Sequence, residues 1–418
     1  MEDASPKEKS SNSQNIPIPL KKHVYLISGS ICGAVFVIAI IVIGYLLYLE
    51  KQHSIVMSEK YTALEAKHSQ TILTMDEQIA SLSGELHELQ IRDEYQTNID
   101  LEEELVQIRD TYNQAVLTYE QLLKLKEQTK ETDIFDKEFT TALLQLSKRE
   151  YEGASTTLTT LSNKIGSEIA KIAQTFTIPV NVASSNTPPG SGFSRQQVSI
   201  DIGNYLIDLV AADVSTTHIY VDTASDGTCG NDCPTLPLAT YVSRNGAFAG
   251  INGSYFCPAS YPSCAGKTNS FDTLLMNKNK VYFNSDNNKY STVPAVIFGN
   301  GWVRFVGQSL EWGRDTGIDS MIANQPLLVS GGNVVFGGDG DPKKGSKGSR
   351  SFVSNKGNTV YIGVVHNVTV AESARVLSAL GMENALNLDS GGSTALWSSG
   401  YKAGPGRNIP NAILFVRK

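Results

Sequence analysis

The chain carries no excess of positive charge. Its 35 Lys+Arg are outnumbered by 42 Asp+Glu, for a formal net charge of −7, so it lacks the basic face that nucleic-acid binding requires. Histidine is scarce in the C-terminal half, where only His218 and His366 occur, and that argues against a multi-histidine metal site. No G-x-S-x-G segment is present, which argues against the nucleophile elbow of an α/β-hydrolase. The glycine- and lysine-rich loop 337–349 lacks a G-K-[ST] ending and no helical pattern follows it, so it is no nucleotide P-loop. Between residues 50 and 130 there is no proline, and Gly84 is the only glycine. Turns and short strands are therefore disfavoured in that stretch.

What is present divides the chain into two unlike parts. Residues 1–189 hold 17 basic and 26 acidic groups, whereas residues 190–418 hold 18 and 16 together with 29 of the 35 glycines and all three tryptophans. Val24 to Leu49 is a 26-residue run without a charge. As a helix it reaches about 39 Å, enough to cross a ~30 Å hydrocarbon core with tilt. It is too long for the apolar stretch of a signal peptide and ends in Tyr48-Leu49 rather than in small residues, so an uncleaved anchor is expected. Lys7, Lys9, Lys21 and Lys22 precede the span, while Glu50 offsets Lys51 after it. The positive-inside rule then places residues 1–22, a disordered tail by composition, in the cytoplasm and the remainder outside.

Cys32 lies within the span, and the other four cysteines cluster as Cys229-x3-Cys233 and Cys257-x6-Cys264. In an exported domain these read as two local disulfides, 229–233 and 257–264. A zinc site on four thiolates, for which the second spacing is too wide, and free thiols are the alternatives.

Residues 50–132 read as a helical stalk. Leu101, Leu105, Ile108, Tyr112, Ala115, Tyr119 and Leu122 alternate steps of four and three, as do Ile79, Leu82, Leu86 and Leu89. Such spacing predicts a parallel homo-oligomeric coiled coil, with a helix folded back on itself as the alternative. Residues 133–176 read as a helical hairpin, and 177–194 as a linker containing Asn186-Thr187-Pro188-Pro189-Gly190. From residue 195 to 418 short β-like runs dominate: 196–202, 205–213, 217–222, 247–251, 293–298, 302–306, 333–336 and 359–365. Helices are expected at Leu238–Arg244 and Ala371–Leu380, the latter ended by Gly381. The fold class is α+β, a mostly antiparallel β head with few helices on an α-helical stalk and a transmembrane helix.

Three segments of the head carry chemistry. Gly250-Ile251-Asn252-Gly253-Ser254-Tyr255-Phe256 is an apolar strand opening into a polar turn. Gly348-Ser349-Arg350-Ser351-Phe352 puts an arginine at a strand entrance. Ala385-Leu386-Asn387-Leu388-Asp389-Ser390-Gly391-Gly392-Ser393 sets a carboxylate beside backbone that can approach a ligand closely, with successive N–H groups able to cradle an anion.

With these motifs the head resembles the phosphodiester glycosidase family. The family's N-G-x-x-F strand end, central arginine and L-D-G-G-x-S motif are matched in order by Asn252 to Phe256, by Arg350, and by Leu388 to Ser393. Ile322-Ala323-Asn324-Gln325-Pro326-Leu327-Leu328-Val329 is similar to the family's P-L-L segment, and Arg407-Asn408-Ile409-Pro410-Asn411-Ala412 to its closing R-x-x-x-N-A strand. Ser390 replaces the usual first glycine, and His366-Asn367 stands where aspartate-glycine is frequent.

The resemblance implies hydrolysis of a sugar-1-phosphodiester in a phosphorylated glycan or polysaccharide. It gives Asp389 the part of nucleophile or water-activating base. Arg350 would hold the phosphate, and Asn252 would orient a sugar hydroxyl or the phosphate. Gly253, Ser390, Gly391, Gly392, Ser393 and His366 are the expected substrate-binding positions. His366 also reads simply as a strand-end histidine. The head has only Glu311, Glu372 and Glu383 as glutamates, none in a motif; one carboxylate and an anion clamp fit a phosphate leaving group better than a carboxylate pair. No cofactor is expected. Calcium at Asp222, Asp226 and Asp232, or at Asp339 and Asp341, is the alternative to plain turns. A tethered head that binds envelope polysaccharide without cleaving it, or a stalk that scaffolds an envelope complex, are the competing functions.

Overall fold

A computed structural model describes residues 28–286 and 292–418; the expected tail and the first residues of the expected span lie outside the described residues. The chain divides into two compact units, one ending at Glu102 and the other running from Glu103 to Lys418. The first unit is helical. Helix α1 (Ser28–Gln90) runs 63 residues without a break, since no proline interrupts it, and α2 (Asp93–Lys126) begins after a short turn. Its apolar N-terminal part makes α1 long and apolar enough to cross a membrane. Ile40, Ile41, Ile43, Leu46 and Leu47 are all exposed, an apolar surface that no other described residue covers.

In the second unit the rest of α2 packs against α3 (Asp133–Ser147) and α4 (Tyr151–Thr175). Ala115, Leu122 and Leu125 are buried among Ala142, Leu146, Leu158, Leu161 and Ile165. Polar pairs add to this face: Gln114 bonds Thr159 (2.7 Å) and Ser162 bonds Gln121 (2.6 Å). The C-terminal end of the heptad seam is thus buried within the chain, against the hairpin. Leu101, Leu105 and Tyr112, from the same seam, are exposed.

The head is α+β. Its elements begin with β1 (Gly192–Ile200), β2 (Gly203–Asp213), β3 (Thr217–Thr223), α5 (Leu238–Arg244), β4 (Ala249–Asn252), β5 (Leu275–Met276), β6 (Tyr282–Phe283), β7 (Ala295–Gly299) and β8 (Trp302–Val306). They continue with β9 (Ser320–Ala323), β10 (Leu327–Ser330), β11 (Asn333–Val334), the one-turn α6 (Pro342–Gly345), β12 (Gly348–Lys356), β13 (Thr359–Val368) and α7 (Val370–Ala379). Last come β14 (Asn384–Asn387), β15 (Leu396–Ser398), β16 (Tyr401–Ala403) and β17 (Asn411–Arg417).

Three antiparallel sheets result, with strand orders β1-β2-β13-β12-β14-β10-β11, β16-β15-β4-β17-β3 and β6-β5-β9-β7-β8. The seven-stranded sheet is covered on both faces. Alternation along β2 sends Ile207, Leu209 and Ala211 toward α7, with Leu377 and Leu380, and sends Val210 and Ala212 toward the other two sheets, with Ile251, Ile322 and Ile413. Burial on both sides explains why these strands read as continuous apolar runs. Helix α5 covers the outer face of β4 and β17 through Leu238, Tyr241 and Val242. Helix α7 starts with a capping box, Thr369 accepting from the Glu372 N–H and Glu372 from the Thr369 N–H. The disulfides pair Cys229 with Cys233 and Cys257 with Cys264, as the spacing predicts.

Candidate active site

The site is assembled where β14 ends beside the start of β12 in the seven-stranded sheet and meets the end of β4 from a second sheet. Asn252, the last residue of β4, is fully buried. Its Nδ2 donates to the Asp389 carbonyl (2.6 Å), while its Oδ1 accepts from Ser351 Oγ (2.9 Å) and from the Ala395 N–H (3.0 Å). One side chain therefore ties three segments together. The backbone adds two more links, Asp389 N–H to the Gly253 carbonyl and Leu388 N–H to the Ser351 carbonyl, each 2.9 Å.

Other buried asparagines repeat the device. Asn411 accepts from the Ser254 N–H (2.9 Å) and donates to Ser254 Oγ (3.0 Å). Asn324 accepts from the Tyr255 N–H (3.0 Å) and donates to the Asn387 carbonyl (2.8 Å). Asn387 Nδ2 in turn donates to Tyr255 Oη (2.6 Å), while its Oδ1 is buried with no partner among the described residues. Gly253 is held so close to Asn411 that a Cβ there would overlap the Asn411 amide. Gly253→Ala is accordingly expected to cost about 1–3 kcal/mol through overpacking, measured as a shift of the denaturation midpoint. Wild-type stability in that variant would mean that Asn411 is free to move.

Asp389 follows β14 and opens the turn Ser390-Gly391-Gly392-Ser393, whose last three residues form a 3-10 helix. Its Oδ1 accepts from the Ser390 N–H (2.9 Å), and the Ser393 hydroxyl is a second donor. Asp389 keeps an accessible edge, yet desolvation pushes its carboxyl up to about 6 against the pull of those donors and of Arg407. A half-buried carboxylate with a raised proton affinity, beside a glycine turn, is suited to attack or to proton abstraction near neutral pH. Ser390 Oγ donates to the Leu388 carbonyl (3.2 Å) and accepts from the Ser351 N–H (3.3 Å).

Arg350 and His366 are each held by partners that only the fold brings together. Arg350 is 8% exposed. Its Nε donates to the Val368 carbonyl (3.2 Å), and its Nη2 to the carbonyls of Lys343 (3.0 Å) and Ser346. Through Nε and Nη2 the guanidinium organises the α6 turn and the β12–β13 end. Burial lowers its proton affinity, opposed by Tyr255, Asp341 and Asp389, so it contributes positive potential near Asp389.

His366 joins a separate cluster. Its Nε2 lies 2.9 Å from Asp208 Oδ2 and its Nδ1 3.3 Å from Ser349 Oγ, while Arg195 grips Asp208 with two bonds of 2.7 Å. Burial alone would raise the Asp208 carboxyl, but the bonds from Arg195 and His366 hold it below the usual range. His366 is thus fixed within the seven-stranded sheet, between Asp208 of β2 and Ser349 of β12.

Of the aspartates in the calcium alternative, Asp222, Asp339 and Asp341 are engaged by cations. Asp222 bonds Arg244 (2.7 Å) and Asn245 and lies 3.4 Å from Lys278, and Asp339 and Asp341 both pair with Lys344. Among the described residues no group of three or more His, Cys, Asp or Glu is placed to hold a metal.

The structure also adds residues to the site. Tyr255 lies inside the first motif; burial raises its phenol, with Asp389 adding to the effect and Arg350 opposing it. Arg407 stands in the closing motif and donates its backbone N–H to the Gly392 carbonyl (2.7 Å). Glu127 and Lys124, at the end of α2, lie beside the same turn. Nothing in the sequence signalled those two, because they belong to a helical segment distant along the chain.

Comparison with known proteins gives a partial match. Residues 245–416 match the family model described as phosphodiester glycosidase. No curated protein matches the chain. Among solved structures it is similar to a hypothetical protein from Synechocystis, 14% identical with a TM-score of 0.38, over 54% of this chain and 62% of that one. It is similar as well to the zebrafish N-acetylglucosamine-1-phosphodiester alpha-N-acetylglucosaminidase catalytic domain, auto-inhibited by its pro-peptide, at 14% identity and TM-score 0.42, over 57% and 87%. A putative exported protein from Burkholderia pseudomallei is 11% identical with a TM-score of 0.35, over 61% and 80%. The chain spans less than two thirds of the Synechocystis protein. The C-terminal half therefore resembles the phosphodiester glycosidase family, as its motifs imply.

Proposed function

We propose that the chain is a membrane-anchored, extracytoplasmic phosphodiester glycosidase, with residues 195–418 as its hydrolytic head. The observation that carries this reading is the Asp389 carboxylate, pushed up to about 6 by burial and set in a turn of glycines and N–H donors with arginines nearby. Matching residues 245–416 to the phosphodiester glycosidase family model supports the same chemistry. Anchoring through residues 24–49 is supported by the apolar length of α1 and by the lysines that precede the run. Two disulfides are in keeping with a head outside the cytoplasm. The exposed Leu101, Leu105 and Tyr112 leave a stripe for homo-oligomerisation of the stalk.

In this mechanism the substrate is a sugar whose anomeric carbon is esterified to a phosphodiester within a glycan. Asp389 either attacks that carbon, forming a glycosyl ester, or takes a proton from the water that attacks C1 directly. In the first case water then hydrolyses the ester at C1, freeing the sugar and the carboxylate. The bond from C1 to the phosphate oxygen breaks, and its electron pair leaves with the phosphomonoester of the aglycone. Phosphate leaves readily without a proton, so a strong general acid at the leaving oxygen is unnecessary. Cations and the N–H groups of the glycine turn stabilise the developing negative charge. Asn252 acts from behind as a positioning residue, fixing the Asp389 backbone.

The full chain in detergent, incubated with a panel of sugar-1-phosphodiesters, is expected to release free reducing sugar and a phosphomonoester in equal amounts. Saturable glycan binding with no release from any diester would favour a binding module and overturn the proposal.

A further inference from the structure

The end of α2 reaches the site through a row of polar contacts. Glu120 accepts from the Ser263 N–H (3.3 Å) and hydroxyl, and Lys124 donates to Ser346 Oγ. Glu127, the residue after α2, accepts from the Arg407 guanidinium and from the Gly392 N–H. Its carboxylate and Arg407 Nη2 fill the space where a side chain at Gly392 would begin, so only glycine admits an anion this close to the backbone.

Around this one carboxylate stand Arg407, Lys124 and, beyond Lys124, Arg350. We infer that Arg407, Lys124 and the Gly392 N–H form an anion subsite for a phosphate group, and that Glu127 is its built-in occupant, which an incoming phosphate must displace. The assignment of the phosphate to a phosphodiester substrate rests on the glycosidase reading above; the subsite itself does not.

Three features separate this arrangement from an ordinary structural ion pair. First, Glu127 is not well solvated in place: its side chain is 24% exposed, and desolvation raises its carboxyl despite Arg407, Gly392 and Lys124. A phosphate brings more charge and more acceptor oxygens to the same donors. Second, Lys124 is lowered to about 8, mainly by burial and then by Arg350, with Glu127 and Asp341 opposing, so a second, buried cation stands beside Glu127 with Arg407. Third, the apolar side chains of this part of α2, Leu122 and Leu125, pack with α3 and α4. What joins the α2 end to the head is polar, and it can be released without opening a hydrophobic core. A helix C-terminus carries partial negative charge. Docked here, the end of α2 imitates an anionic ligand and competes with one.

The test uses the full chain in detergent at low salt, with inorganic phosphate as the calorimetric probe and a sugar-1-phosphodiester as the kinetic one. Glu127→Ala is expected to bind inorganic phosphate about tenfold more tightly than wild type, and to lower the KM for the diester by a similar factor. Glu127→Gln keeps the shape, removes the charge and should show the same direction. Adding Arg407→Gln to Glu127→Ala should abolish phosphate binding. Tighter phosphate binding with no diester turnover in any form would support the subsite while removing the glycosidase reading. Diester turnover with phosphate affinity unchanged in both Glu127 variants would overturn the subsite and leave that reading standing. A loss of kcat in Glu127→Gln would also overturn it, since Glu127 would then act in the chemistry.

Discussion

Replacing Asp389 by asparagine is expected to reduce turnover by at least about a thousandfold, the range typical of losing a nucleophile or essential base, while the protein stays folded. The two effects come from the same burial. Desolvation pushes the carboxyl up to about 6, whereas in the unfolded chain it titrates near 4. Between those values the folded state binds more protons than the unfolded one, so stability falls as pH rises through the window. The destabilising contribution is absent below about pH 4 and complete above about 6. The asparagine side chain of the variant carries no such charge; the melting temperature of Asp389→Asn relative to wild type should therefore rise from pH 4 to pH 7. The rate of wild type has the opposite dependence, because the ionised form reacts. It should drop tenfold per pH unit below about 6 and level off above it. A flat rate profile across that window would remove Asp389 from the chemistry.

Asn252→Asp should be the most damaging single change to the architecture of the site. The side chain is fully buried, donates to the Asp389 carbonyl and accepts two bonds. Aspartate has the same shape but, when ionised, no donor, so its carboxylate would face the Asp389 carbonyl oxygen. An uncompensated buried charge of this kind costs about 3–5 kcal/mol, and the turn carrying Asp389 loses its tether. Chemical denaturation should show that loss, with turnover falling alongside it. Asn252→Ala, which leaves the partners unsatisfied without adding charge, should cost less, about 1–3 kcal/mol. Equal stability of Asn252→Asp and wild type would show that the three segments are held by something else.

The class of the fold was legible because most of its strands are apolar runs bounded by glycine and asparagine. Strands such as β2, β3 and β8 fall where the pattern predicts, and α5 matches at both ends. β12 was legible only as a strand entrance at Arg350, without its extent, for a reason tied to the site. Its buried positions include Arg350, Ser351 and Ser354, whose polar groups serve the interior and hide the period-2 signal. β9, β10 and β14 are four residues each, too short for alternation to stand out.

Chemistry made part of the site legible. An aspartate leading a glycine turn and an asparagine-glycine strand end are unusual enough to be singled out, and the structure sets Asn252, Gly253 and Asp389 in direct contact. What a side chain is bonded to could not be read from the chain. Arg350 is bonded to three backbone carbonyls, and His366 to Asp208 and Ser349, through pairings that exist only once β2, β12 and β13 are side by side. Glu127 and Arg407 meet across 280 positions of sequence, a distance over which no local pattern carries information.

The role of Asp389 depends on which bond of the diester is broken. The most direct measurement is hydrolysis of a sugar-1-phosphodiester by the full chain in water enriched in oxygen-18, followed by mass analysis of both products. Attack at the anomeric carbon predicts the heavy oxygen in the C1 hydroxyl of the released sugar and none in the phosphate. Label in the phosphate, with sugar-1-phosphate as a product, would mean attack at phosphorus and would contradict the role given to Asp389.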